Sequence, residues 1–66
     1  MPRDIYIIQI CPEACDSFIY PKAFTTLEAA QEAIRKEYNY PEQKQDRVFR
    51  DKDYTYYYIE KVAVEL

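Results

Sequence analysis

The chain contains no glycine, although average usage would place about four or five in its 66 residues. Glycine alone takes positive φ at no steric cost and lets a backbone come close to a ligand. Loops that cradle phosphates depend on both properties, so P-loop and dinucleotide sites are ruled out. Turns must be built from asparagine, aspartate and proline instead. "CPEACD" (11–16), Asn39 with Pro41, and "DKD" (51–53) supply them, and the segments between can be read one by one.

"DIYIIQIC" (4–11) reads as a strand. Tyr6, Ile8 and Ile10 share one face, and Ile5, Ile7, Gln9 and Cys11 the other. Both faces are apolar at the start, as in a central strand covered on two sides. "SFIYPKAF" (17–24) reads as a second strand pairing back on the first. Pro21 cannot donate to a ladder, which places this strand at a sheet edge.

"TTLEAAQEAIRKEYN" (25–39) predicts a helix. Thr25 and Glu28 have the spacing of a capping box. Leu27, Ala30, Ile34 and Tyr38 form one apolar stripe, and Glu32 and Lys36 pair on the outer side. Asn39 suits a left-handed helix end, and Pro41 prevents continuation. Residues 40–45 read as a polar connection, "DRVFR" (46–50) as a short strand and "DKD" as a turn. The last strand starts at Tyr54 and runs to about Leu66. Its mostly apolar even face is interrupted by Glu60. A β-bulge near Glu60–Lys61 would avoid burying that carboxylate and bring Tyr57 and Ile59 onto the helix side with Val62, Val64 and Leu66. With or without it, both faces of the strand carry tyrosine.

The expected fold is α+β: one domain over 1–66, with a small, mostly antiparallel sheet in the order β-β-α-β-β and one helix on one face. A chain this short buries only about 60% of its unfolded surface, so its stability is marginal without help. One helix covers one face, yet Ile5, Ile7 and the phenols of Tyr54, Tyr56, Tyr57 and Tyr58 supply apolar area for a second. That face, centred on those six residues, is the candidate interaction surface. A second copy of the chain is the expected cover, and another protein or an uncovered face are the alternatives.

Little in the chain points to catalysis. It has no histidine, the commonest general base and metal ligand. Cys11 and Cys15 form C-x3-C without a second pair, so free thiols are expected rather than a zinc site or a disulfide. Asp51 and Asp53 sit in a turn that offers no cleft for acid–base work. No enzyme activity, cofactor or metal is therefore expected. The net charge of −3 opposes non-specific nucleic-acid binding. Lys44, Arg47, Arg50 and Lys52 cluster, but Asp46, Asp51 and Asp53 are interleaved with them. Weak RNA or single-stranded DNA binding by sheet tyrosines stays as an alternative. No apolar run is long enough to span a membrane, and the N-terminal segment reads as a strand rather than a signal peptide, so the expected location is cytoplasmic.

The opening "DIYIIQI", the phrase "FTTLEAAQEAI" and the closing "YYYIEKVAVEL" together resemble small ββαβ-type proteins of bacteria and their phages or prophages. The "DRVFRDKD" piece departs from the simplest version of that pattern. The resemblance implies an accessory protein with no catalytic residues. The alternative reading is a mobile-element-encoded inhibitor of a host defence or nucleic-acid-handling protein, which would present Glu28, Glu32, Glu37 and Glu42 in place of phosphates.

Overall fold

The structure, a computed structural model, describes residues 2–65, and of Pro2 and Glu65 the backbone only. Along the chain come β1 (Pro2–Cys11), β2 (Phe18–Ile19), α1 (Leu27–Glu37), β3 (Glu42–Gln45), β4 (Val48–Arg50) and β5 (Tyr56–Glu65). The strands form one antiparallel sheet in the order β2-β1-β5-β4-β3, and α1 packs across β1 and β5. The class is α+β, but the element order is β-β-α-β-β-β. The extra strand is β3, within the segment expected to be a polar connection. All four of its residues, "EQKQ", are exposed, so it lacks the apolar alternation that marks a strand. It forms because β4 offers a free edge, paired through Glu42↔Arg50 and Gln43↔Phe49.

The core consists of Ile8 and Ile10 from β1, Tyr57 and Ile59 from β5, Phe49 from β4, and Ala30 and Ile34 from α1. Ile8 faces Ile59 and Ile10 faces Tyr57 across the central ladder. Leu27 and Tyr38 complete the helix stripe, partly buried against this cluster. The β1–β5 register runs without interruption through ten pairs, from Pro2↔Glu65 to Cys11↔Tyr56. There is therefore no bulge at Glu60–Lys61. Glu60 points away from the helix and is exposed, so its carboxylate keeps its water and needs no bulge to escape burial. Val62 and Val64 share its face, opposite Tyr57 and Ile59, and Leu66 lies outside the described residues.

The second strand is shorter than expected. Only Phe18 and Ile19 pair regularly with β1, at the sheet edge. The chain then loops out around Pro21 and returns at Phe24, which exchanges backbone bonds of 2.7 and 2.9 Å with Tyr6. The helix starts one residue later than the capping box implies. Thr26 is the cap, with φ −134° and ψ 155°, and its hydroxyl accepts the Ala29 N–H at 3.1 Å. The residue three beyond it is alanine, so no reciprocal carboxylate exists, and Glu28 instead adds a favourable charge to the first turn. Thr26→Ala should cost about 1 kcal/mol, while Thr25→Ala should stay within about 0.5 kcal/mol. Thermal melts of the two variants check this, and equal effects would place the cap elsewhere.

The helix ends in a Schellman-type turn. Asn39 takes φ 59° and the Tyr40 N–H reaches back to the Arg35 carbonyl at 2.8 Å. Tyr40 is itself left-handed, at φ 55°. In a chain without glycine, a tyrosine holds a conformation that costs roughly 1–2 kcal/mol for most residues.

Candidate interaction surface

Side chains alternate along a strand, so the unbroken central register sorts them cleanly between two faces. Tyr6, Ile8 and Ile10 point toward the helix, as do Tyr57 and Ile59. Ile5, Ile7, Gln9 and Cys11 point away, together with Tyr56, Tyr58, Glu60, Val62 and Val64 of β5. Val48 and Arg50 extend that open face onto β4, where they pair with Tyr58 and Tyr56. Among the described residues, no helix or strand packs on this side.

At one end of the β1–β5 ladder the rings of Tyr56 and Tyr58 stack, with centroids 5.7 Å apart and planes 8° from parallel. Val48 lies beside Tyr58, Ile7 lies one row further along β1, and Ile5, Val62 and Val64 carry the face on toward the far end of the ladder, all of them half-buried. Two charged groups flank the Tyr58 row along the strands. Arg50 lies beside Tyr56 and bridges to Glu42 at 3.7 Å, and Glu60 lies opposite Ile7. Lys44 also reaches Glu42, at 3.2 Å.

The six residues singled out from the sequence separate three ways. Ile5, Ile7, Tyr56 and Tyr58 meet on the open face. Tyr57 does not: it is 3% exposed, packed toward the helix, and belongs to the core. Its odd position in the uninterrupted register puts it there. Tyr54 precedes β5 in the β4–β5 turn, left-handed at φ 61° and 56% exposed. The Arg50 guanidinium sits over its ring at 5.2 Å.

Asp51 gained no role from the sequence beyond turn formation, yet it organises this end of the sheet. One carboxylate oxygen accepts the Asp53 and Thr55 amides at 2.9 and 3.0 Å, and the other accepts the Tyr57 hydroxyl at 2.7 Å. The local part is an Asx-type turn, legible in principle from an aspartate opening a turn. The reach to Tyr57 is tertiary and has no sequence signal. Partial burial pushes the Asp51 carboxyl up, but its bonds to Tyr57, Thr55 and Asp53 outweigh this and hold it below the usual value. Burial, reinforced by the bond to Asp51 and its charge, pushes the Tyr57 phenol well above the usual tyrosine value. An aromatic chain continues from Tyr57 to Tyr38 at 4.7 Å, then to Tyr20 at 6.3 Å and Phe24 at 6.2 Å. Burial, Tyr20 and Glu37 raise the pKa of Tyr38 as well.

The remaining candidates are scattered. Glu28, Glu32, Glu37 and Glu42 are all exposed, but Glu32 is bridged by Arg35 and Lys36 at 3.6 and 3.5 Å, and Glu42 by Lys44 and Arg50. Cys11 is a half-buried thiol on the open face, and Cys15 an exposed one in the β1–β2 turn. Among the described residues no three cysteine or carboxylate side chains converge on a point that could hold a metal ion. An open cleft of about 530 Å3 separates the helix end near Tyr40 from the turn at Asp51–Asp53, and its walls mix both signs of charge with Tyr38 and Tyr40. Among the described residues no helix is long and apolar enough to cross a membrane. Compared with known proteins, the chain matches no family model, no curated protein and no solved structure.

Proposed function

We propose that the chain is a non-enzymatic protein–protein interaction module, that its working surface is the open sheet face, and that a second copy of itself occupies that face. The observation that carries this reading is the stacked Tyr56–Tyr58 pair, continued along the open face by half-buried Val48, Ile7, Ile5 and Val62, with no helix or strand among the described residues packed above it. Tyrosine suits such a site, with a large apolar area, few torsions and a hydroxyl that tolerates a wet rim.

Charge and size favour a second copy. Consider two sheets stacked face to face about a two-fold axis that crosses the strands at the Tyr58 row. The Arg50 row of one copy then lies over the Glu60 row of the other, twice by symmetry. The molecule measures 40 × 22 × 18 Å. One broad side is of the same order as the roughly 800 Å2 each partner contributes to a standard interface.

Light scattering after size exclusion, over a range of concentrations, reads the association directly. Ile7→Lys combined with Tyr58→Lys should weaken it by about a hundredfold or more, since each lysine places a charge in the contact. The fold should survive, because both residues lie outside the core. Alkylation gives a second readout: Cys11 should become protected as concentration rises, while Cys15 stays reactive. A chain that stays monomeric up to millimolar concentration, with Cys11 freely alkylated, would sink the reading.

A further inference from the structure

β5 is ten residues long, but β4 accompanies only its first part. Their ladder covers Val48↔Tyr58 to Arg50↔Tyr56, with one further bond of 2.8 Å from the Ile59 N–H to the Arg47 carbonyl. Backbone polar groups alternate sides along a strand, so the odd-numbered residues of β5 aim theirs toward β4 and the even-numbered ones toward β1. Beyond Ile59 the outward groups belong to Lys61 and Ala63, and among the described residues no strand stands beside them. On the other side, β2 pairs with β1 only at Gln9 and Ile10, and Phe24 adds a bridge at Tyr6. The sheet thus ends in a two-stranded ribbon, Pro2–Ile5 against Val62–Glu65, with open edges. A two-stranded ribbon alone is marginal in water, and an unpaired edge is a template for another strand.

We propose that the outer edge of β5 from Lys61 to Glu65 is a second self-association site, which pairs antiparallel with the same edge of another copy about a two-fold axis at Ala63 and joins two five-stranded sheets into one. The register identifies the occupant. With Ala63 opposite Ala63 of the second copy, the two residues exchange both backbone hydrogen bonds, because both polar groups of Ala63 aim outward. Val62 then falls opposite Val64, so apolar positions face one another across the new ladder. A shift to Val62 as the centre fails, since its polar groups are turned to Ile5 of β1. Ala63 is exposed and small, so two strands can meet there without a clash.

An edge lysine ordinarily discourages pairing. Here the Lys61 ammonium is held over its own ribbon by Asp4, at 3.4 Å. The two-fold axis of this contact is perpendicular to the sheet, so the two open faces stay on one side. Edge pairing extends the open face and leaves it uncovered, independently of the face-to-face contact. Both contacts together would close a four-chain assembly if their axes intersect.

Amide hydrogen exchange on the whole chain tests this, at concentrations from about 10 µM to 1 mM. The Lys61 and Ala63 amides should slow roughly tenfold or more as concentration rises. Ile7→Lys with Tyr58→Lys should leave that slowing intact. Ala63→Pro should abolish it at Lys61 while Glu60 and Val62 keep their protection, because the lost N–H faces away from β1 and proline is tolerated on an edge. If Ala63→Pro disturbs the fold, the concentration dependence in the unmodified chain decides alone. Lys61 and Ala63 amides that exchange without protection at the highest concentration would overturn the proposal. So would slowing at Lys61 that survives Ala63→Pro in a folded chain. Protection of Cys11 without these amides sinks the edge site and keeps the face, and the reverse result sinks the face and keeps the edge.

Discussion

Phe49→Ala should lower the melting temperature by more than about 10 °C. Phe49 is fully buried and comes from a strand of only three residues. It is the one core residue β4 contributes, and the Arg35 guanidinium lies 5.8 Å from its ring centroid on the helix side. Removing such a ring from a packed core costs about 3–5 kcal/mol, because the cavity collapses only in part. A chain of 66 residues has a total stability of roughly 3–10 kcal/mol, so the substitution consumes much or all of it. Far-UV circular dichroism and thermal melting check the result. Phe49→Leu keeps most of the volume and should still fold, at a cost of about 1–2 kcal/mol. An alanine variant that melts within a few degrees of the parent would mean that β4 is not fastened through this residue.

The parts of the fold that could be read from the sequence are those fixed by apolar periodicity. The alternation in "DIYIIQIC" marks β1, and the stripe of Leu27, Ala30, Ile34 and Tyr38 marks α1. Asn39 and Pro41 mark where the helix stops. Where periodicity is silent or shared, the sequence is ambiguous. β3 is all polar and exists because β4 presents a free edge to it. Thr25 and Thr26 are both competent caps, and the capping-box spacing points to the wrong one, because only the turn leading from Phe24 decides which hydroxyl meets an amide. The four tyrosines between 54 and 58 are chemically equivalent in sequence, so their directions depend on the register of the strand. A bulge at Glu60 is needed only if the face that carries its carboxylate is covered. In the structure its face is open and no rescue is needed. Ile5, Ile7, Tyr56 and Tyr58 could thus be gathered on one side by alternation alone, whereas the assignment of Tyr57 required the unbroken ten-pair ladder.

Asp51→Ala should be nearly as damaging as the loss of Phe49, and by a different route. The substitution removes the acceptor for two turn amides and leaves the Tyr57 hydroxyl without its partner inside the structure. Hydrogen bonds to a charged group contribute about 1.5–3 kcal/mol, and an orphaned buried donor costs a comparable amount, so a loss of about 3 kcal/mol is expected. Tyr57→Phe removes one of the three bonds and keeps the ring in the core, so about 1.5 kcal/mol is expected. A double-mutant cycle should show coupling of about 1 kcal/mol or more between the two positions.

Burial raises the Tyr57 phenol, and the bond to Asp51 acts at both limits of the pH range, adding to that rise and lowering the Asp51 carboxyl. The Asp51 carboxyl is held below its unfolded value of 3.8, so its contribution is complete above that value and is lost as pH falls through the folded one. The Tyr57 phenol is held above its unfolded value of 10.0, so its contribution is complete below that value and is lost as pH rises beyond it. Urea unfolding as a function of pH should therefore show a plateau with two falling limbs. Asp51→Asn should flatten the acid limb, and Tyr57→Phe should shrink the alkaline limb to the part owed to Tyr38, whose phenol is also raised. A Tyr57→Phe variant with an unchanged alkaline limb and unchanged stability at neutral pH would show that Tyr57 and Asp51 are not joined in solution. The β4–β5 turn would then be closed by its own amide bonds to Asp51, with no tie to the core through the Tyr57 hydroxyl.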